Sequence, residues 1–373
     1  MLNKKWFLLS LVLTVLLPLT ITQQSCRQKK QVQAEYCTEQ DFFKMEKVDI
    51  HCHVDAERPA FMEQATADNF RILTINTDAS DALNQSVMAQ QDIALLQRKA
   101  FPGRLSYLTS FPMAGWDEPG WQEKTLEYLK ESFSKGAIGM KVWKNIGMVV
   151  KDKDGKFVMI DNPGFDAIFN YLEDNKIPVC GHLGEPKNCW MPLEEMTVNN
   201  DRQYFRDNPQ YHMYLHPDFP SYEEQIQATV NRLKKHPELH YMGAHLASLE
   251  WSVDELARHF EMFPNMTADL AARMCHVEKQ AQTDWEKVRN FFIKYQDRIL
   301  YGTDLGDWPG AEPDPEKLKE NVHAAWMRDW KFLTTDSIMT SWELDGEFKG
   351  LKLPREVIEK IYLKNAVKWF PGV

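Results

Sequence analysis

The sequence predicts an α/β fold, a (β/α)₈ barrel with long loops after strands 5 and 8. Three observations lead there. Eight short, nearly continuous apolar runs recur along the chain, as expected of parallel strands buried on both faces. Segments of helical periodicity separate them. No glycine-rich phosphate turn follows an early run, as a doubly wound open sheet would want. The composition fits a globular chain of 373 residues: 43% hydrophobic and 26% charged residues exclude a disordered or fibrous protein. The net charge of −10 repels a polyanion, so nucleic acid is not the expected partner and a small molecule is.

Residues 1–25 read as an export signal. Lys4 and Lys5 precede the apolar run from Trp6 to Leu17, which Pro18 interrupts and which is short for a membrane span. Ser25-Cys26 then suggests a lipoprotein cleavage site, with Cys26 taking the lipid and tying the chain to a membrane. The expected location is the periplasm or the outer membrane. Residues 26–46 read as a polar tether, and residues 47–373 as the barrel. Six cysteines show no spacing framework, so no essential disulfide is expected. Oligomeric state stays open, a homo-oligomer included.

The strands are expected at residues 47–53, 71–76, 105–111, 137–143, 177–182, 240–245, 265–269 and 298–303. Between them, Leu126, Leu129 and Phe133 form one core stripe, Phe165, Ile168, Phe169 and Leu172 a second, and Val253, Leu256 and Phe260 a third. Asn162-Pro163 and the capping box from Ser221 to Glu224 mark helix starts. Lys151 to Gly155 reads as a hairpin tip. The connections 183–221 and 306–353 are too long for plain crossovers. Both follow strand C-termini, where barrel enzymes keep their chemistry.

Candidate chemistry sits at those strand ends. Side chains alternate faces along a strand, so His51 and His53 point the same way. His182 ends the fifth run, His245 the sixth, and Asp304 lies just beyond the eighth. Histidine with carboxylate suits zinc foremost, or manganese, iron or nickel, as one ion or two. Lys141 on the fourth run would be a cation beside a cation site. It is reconciled by burial that neutralises it, by a carbamate, or by turning out of the barrel mouth. Trp143 is read as a pocket wall, Arg273 as a grip for a substrate carboxylate or a partner of Asp269 or Glu250, and His216 as a substrate contact from a solvated loop. Glu185 is a candidate to orient His182, and His236, His259, His276 and His323 are expected to be exposed.

In their order, His51-x-His53, Lys141, His182, His245 and Asp304 resemble the amidohydrolase superfamily over nearly the whole predicted barrel. The resemblance implies a metal-dependent hydrolase of a small ester, lactone, amide or phosphoester. In binuclear members His51, His53 and Asp304 would hold one ion, His182 and His245 the other, and a carbamate on Lys141 would bridge them. In mononuclear members His51, His53, His182 and Asp304 suffice and His245 becomes catalytic. That branch includes non-oxidative decarboxylases, the alternative reading, and a solute-binding lipoprotein is the third. Asp304 and His245 are the implied catalytic residues.

Overall fold

The computed structural model describes residues 36–79, 85–310 and 314–373. The export signal, Cys26 and most of the tether lie outside them. The tether expectation is corrected at its end: Cys37 and Phe42 are buried, and a helix spans Glu39–Lys44, because an apolar side chain at Phe42 is worth burying under Trp330. Among the described residues no helix is long and apolar enough to cross a membrane.

All eight predicted strands form: β1 (Lys47–Val54), β2 (Phe70–Ile75), β3 (Leu105–Leu108), β4 (Met140–Val142), β5 (Val179–Gly181), β6 (Tyr241–Gly243), β7 (Met266–Asp269) and β8 (Ile299–Leu300). A short β9 (Leu305–Asp307) follows. Parallel pairing gives two sheets, β3-β2-β1-β9 and β4-β5-β6-β7-β8. Backbone hydrogen bonds join them at both seams. Thr109 N donates to Gly139 O (3.1 Å) and Lys141 N to Thr109 O (2.7 Å). On the other side Ile50 N donates to Tyr301 O (3.0 Å) and Asp304 N to His51 O (2.8 Å).

The inner core holds Val48, Ile50, Leu73, Leu108, Met242 and Leu300, closed at one end by Trp369 and Phe370 of the C-terminus. A larger layer lies between strands and helices. There Phe165, Ile168, Phe169 and Leu172 are buried as their spacing predicts, and the Ser221–Glu224 capping box opens the helix Tyr222–Lys235. The 183–221 connection carries a helix at Asn199–Asp207, and the 306–353 connection carries one at Pro315–Thr334 and a small hairpin. Cys52, Cys180, Cys189 and Cys275 are free, buried thiols, and Cys37 is buried as well.

One irregularity positions the chemistry. The register between β1 and β2 shifts between Asp49 and Cys52. Val48 and Ile50 belong to the inner core, while Cys52 and Val54 belong to the outer layer. The bulge therefore resets the alternation, so His51 and His53 continue the inward face that Ile50 would otherwise hold. Asp49 points outward, accepting from Thr303 Oγ1 (2.6 Å) and Trp326 Nε1 (2.9 Å).

A buried acid shapes the pH response of the fold. Glu278 is fully buried on the helix Met274–Thr283, and neither carboxylate oxygen has a hydrogen-bond partner. Burial pushes its pKa from 4.5 up to about 8; Arg328 opposes this, and Asp329 and Glu343 add to it. Between those two values the folded state holds a proton that the unfolded chain has lost. Stability therefore falls as pH rises through that window, by about 1.4 kcal/mol per pH unit from this group. Thermal unfolding should show Glu278→Gln with a higher midpoint than the parent at about pH 9 and the difference closing by about pH 5. A constant difference would refute the assignment.

Candidate metal centre

The strand ends converge as the sequence predicts. His51 and His53 come from β1, and Lys141 from β4. His182 follows β5, and His245 lies in a turn directly after β6. Asp304 lies between β8 and β9, with φ of 67°, a left-handed conformation that interrupts the eighth strand run and aims the carboxylate back over β1. His245 to Ser248 form four successive left-handed residues, φ 56° to 59°. Each costs about 1–2 kcal/mol outside glycine. Asp269 Oδ1 holds this turn by accepting from His245 N (2.7 Å), and Tyr222 OH donates to Ser248 O (2.6 Å). Gly302 allows the close approach of the eighth run: a Cβ there would lie 3.0 Å from His51 Cβ.

Hydrogen bonds fix three imidazole tautomers. His51 Nδ1 donates to Asp269 Oδ2 (2.8 Å), His53 Nδ1 to Ile75 O (2.9 Å), and His245 Nδ1 to Ala271 O (2.9 Å). Each Nε2 is left with its lone pair facing the cluster. His51 Nε2 and His53 Nε2 lie 3.3 and 3.2 Å from Asp304 Oδ1. Lone pairs face an anionic oxygen, so a proton or a cation belongs between them. His245 Nε2 faces His182 Nδ1 at 3.2 Å, and His182 Nε2 is buried without a partner. The donor atoms of His51, His245 and Asp304 all lie within 4.8 Å of one another. Two imidazole nitrogens with a carboxylate suit a divalent ion of the zinc or manganese kind.

The electrostatics agree. Burial pulls His182 and His245 well below the usual imidazole range, and it pulls His51 down with help from Lys141, so these rings are neutral ligands. Burial also lowers His53, but the hydrogen bond and charge of Asp304 override it and leave it raised. Burial would raise Asp304; the surrounding imidazoles of His245, His53 and His51 outweigh this and hold it well below the usual carboxylate range. Lys141 is fully buried and points inward, with Nζ 3.3 Å from His51 Nε2 and 3.4 Å from Cys180 Sγ.

A cavity of 180 Å³ opens over the cluster, lined by His53, Lys141, Trp143, His182, Asp304 and Trp308. Trp143 is one wall of this cavity. Asp304 is the open member of the cluster, its side chain 32% exposed. His245 does not line the cavity; it lies beneath, against His182 and His51, where strained turn and tautomer hold it. His245, expected as a metal ligand or a catalytic residue, keeps its donor atom within 4.8 Å of those of His51 and Asp304.

Other expectations are corrected. His216 lines no part of this cavity: its Nε2 donates to Pro209 O and its ring packs on Phe219, because the loop folds on itself in 3₁₀ turns. Glu185 is paired with Lys144, a nearer cation, rather than with His182. Arg273 is buried and makes no ion pair with Asp269, which is committed to His51 and His245. Its nearby acids are Asp201, Glu250 and Glu185, and its Nε is unpartnered. His236, His259 and His276 are buried, not exposed, and His323 is half-buried, bonded to Asp68. His276 pairs with Asp201 across two connections that sequence spacing does not relate.

Two functional residues were missed. Asp269 ends β7 and looked only like a partner for Arg273, although an acid at the end of a buried strand was a signal. Trp308 follows Asp304 by four residues and stacks on His53 (6.1 Å between centroids, 25° between planes).

A family model of amidohydrolases matches residues 48–372. The chain belongs to the amidohydrolase family. Two solved structures with TM-scores above 0.5 are similar in fold to this amidohydrolase. The 2,6-dihydroxybenzoate decarboxylase from Rhizobium is 14% identical, with a TM-score of 0.52, over 87% of this chain and 98% of that one. The same kind of enzyme complexed with 2,6-dihydroxybenzoate gives 0.51 at 14% identity over 87% and 99%. A TIM-barrel protein from Bordetella bronchiseptica gives 0.48 at 14% identity over 87% and 98%. No curated protein sequence matches the chain. This amidohydrolase is an enzyme of the superfamily, with a divalent-metal site.

Proposed function

We propose that the chain is a metal-dependent lyase that removes carbon dioxide from a small, flat, carboxylated ring or enol. The observation that carries this is the 180 Å³ cavity, in which two indoles, Trp143 and Trp308, flank a nitrogen-rich cation site. Such walls suit a planar substrate more than a flexible ester or peptide. The likeness in fold to a decarboxylase of a dihydroxybenzoate supports the same reading. It moves ahead of hydrolysis, the first expectation from sequence.

His51, His53, His182 and Asp304 would hold the ion, zinc foremost. A divalent ion there supplies a point of attachment and electron withdrawal for substrate oxygens. Trp143 and Trp308 hold the ring in the cavity and exclude water. Asp304, open to the cavity and ionised at rest, would first take a proton from the substrate's hydroxyl or from solvent and then pass it to the ring or enol carbon. The bond from that carbon to its carboxylate then breaks, releasing carbon dioxide and returning the electron pair to the ring. His245 keeps His182 in place from below.

A second reading has its own support. Lys141 reaches His51 from the fourth strand, where a carbamate would meet a two-ion centre. With two ions, Asp304 would take the proton of an attacking water and pass it to the leaving group of an ester, lactone, amide or phosphoester.

Metal analysis with turnover assays separates the two. The expected result is one ion per chain, release of carbon dioxide from hydroxylated benzoates or enol acids, loss of that release on chelation, and recovery with zinc or manganese. Two ions per chain, a carbamate signal by ¹³C NMR lost in Lys141→Ala, and hydrolysis without carbon dioxide would establish the second reading instead.

We also propose export and lipid attachment at Cys26, supported by the charged, apolar and Ser-Cys sequence of the N-terminus. Labelled fatty acid should enter the wild-type protein in cells and not Cys26→Ser; equal labelling of both refutes it.

A further inference from the structure

A second, larger cavity of 400 Å³ adjoins the metal centre, and Trp143 and Lys144 line both. Its walls come from the long loop after β5 and from the 151–157 hairpin, chiefly Tyr204, Tyr211, Met213, Phe157 and Phe219. Phe157 and Phe219 meet at 4.7 Å between ring centroids. Tyr204 and Tyr211 lie nearly parallel, 9° between planes, and are 43% and 46% exposed. Rings at a cavity mouth leave apolar faces in water that a ligand would cover. The charged groups are already engaged: Lys144 is paired with Glu185, and Lys151 lies over the Phe157 ring at 4.4 Å. The cavity therefore offers flat apolar contact and few free charges, and it suits an uncharged aromatic group. The inner cavity of 180 Å³ is small beside ordinary ligand pockets of about 300–1,000 Å³.

We propose that the substrate has two parts: a compact carboxylated head over the metal centre and an uncharged aryl arm that passes Trp143 and Lys144 into the outer cavity. The substrate class is then an aryl-extended aromatic or enol acid rather than a single-ring acid. This rests on the lyase reading for the head, and on the outer cavity alone for the arm.

Calorimetric titration of the metal-loaded full chain tests it with two probes. One is 2,6-dihydroxybenzoate; the other is the same acid carrying a phenyl group on the ring carbon opposite the carboxyl. The extended acid should bind at least tenfold tighter. The ratio of the two affinities should collapse towards one in Val149→Trp, which fills the outer cavity from an exposed position, and fall severalfold in Tyr211→Ala. A ratio near one in the wild type, a ratio unchanged in both variants, or no binding by either acid would overturn the proposal. Carbon dioxide release is followed in the same samples. A preserved affinity ratio without release supports the arm site and refutes the lyase reading, whereas release from both acids with equal affinities refutes the arm site alone.

Discussion

Asp304→Asn is expected to lower turnover by about 10²–10⁴-fold, the span that proton transfer by a positioned side chain supplies. Asp304 is the one carboxylate of the cluster that opens to the cavity, and its oxygen faces His51 Nε2 and His53 Nε2 together. An amide keeps the shape but carries no transferable proton at neutral pH and binds a cation more weakly. Metal content should therefore fall as well, and saturating metal should restore occupancy without restoring rate. Circular dichroism and thermal unfolding should show an intact fold. Turnover within threefold of the parent at full metal occupancy would remove Asp304 from the chemistry.

Asp269→Asn is expected to act at one remove. The Asp269 carboxylate accepts from His51 Nδ1 with one oxygen, and from His245 N (2.7 Å) and Ala271 N (3.2 Å) with the other. An amide has a single oxygen and cannot serve both sides. Either His51 loses its fixed tautomer, or the left-handed turn from His245 to Ser248 loses its clasp. The first outcome should weaken metal binding by about 10–100-fold, the usual cost of losing an outer partner of a metal ligand. The second should cost about 1–3 kcal/mol of stability through unpaired buried backbone donors. Metal titration followed by activity reads the first, because added metal recovers most of the rate when only affinity is lost. Denaturant unfolding reads the second. Parental values in both would show that Asp269 is not the anchor of the site.

The legible part of this protein was its periodic part. Eight apolar runs became eight parallel strands because each is buried on both faces, and a run such as Tyr241 to Gly243 has no other stable environment. The convergence of His51, His53, Lys141, His182 and Asp304 was legible because these residues sit at or just beyond strand ends, where a barrel gathers side chains from distant stretches. The burial of His236, His259 and His276 was not legible. Each sits on or beside a helix in a locally polar stretch, and its partner comes from another connection or from the backbone one turn away. Asp269 escaped for a related reason: its role depends on the His51 ring, 218 residues earlier.

The sequence alone determined the barrel, the family and the residues that meet at its mouth, because local apolar periodicity and strand-end chemistry are properties of short segments. The tertiary structure decided which face β1 presents after its bulge, which imidazole nitrogens face the cluster, and that two cavities share Trp143 and Lys144 as walls. Those depend on register, on acceptors such as Ile75 O and Ala271 O, and on how the loop after β5 folds back over the rim. All are pairings between distant stretches, and residue spacing carries no record of them.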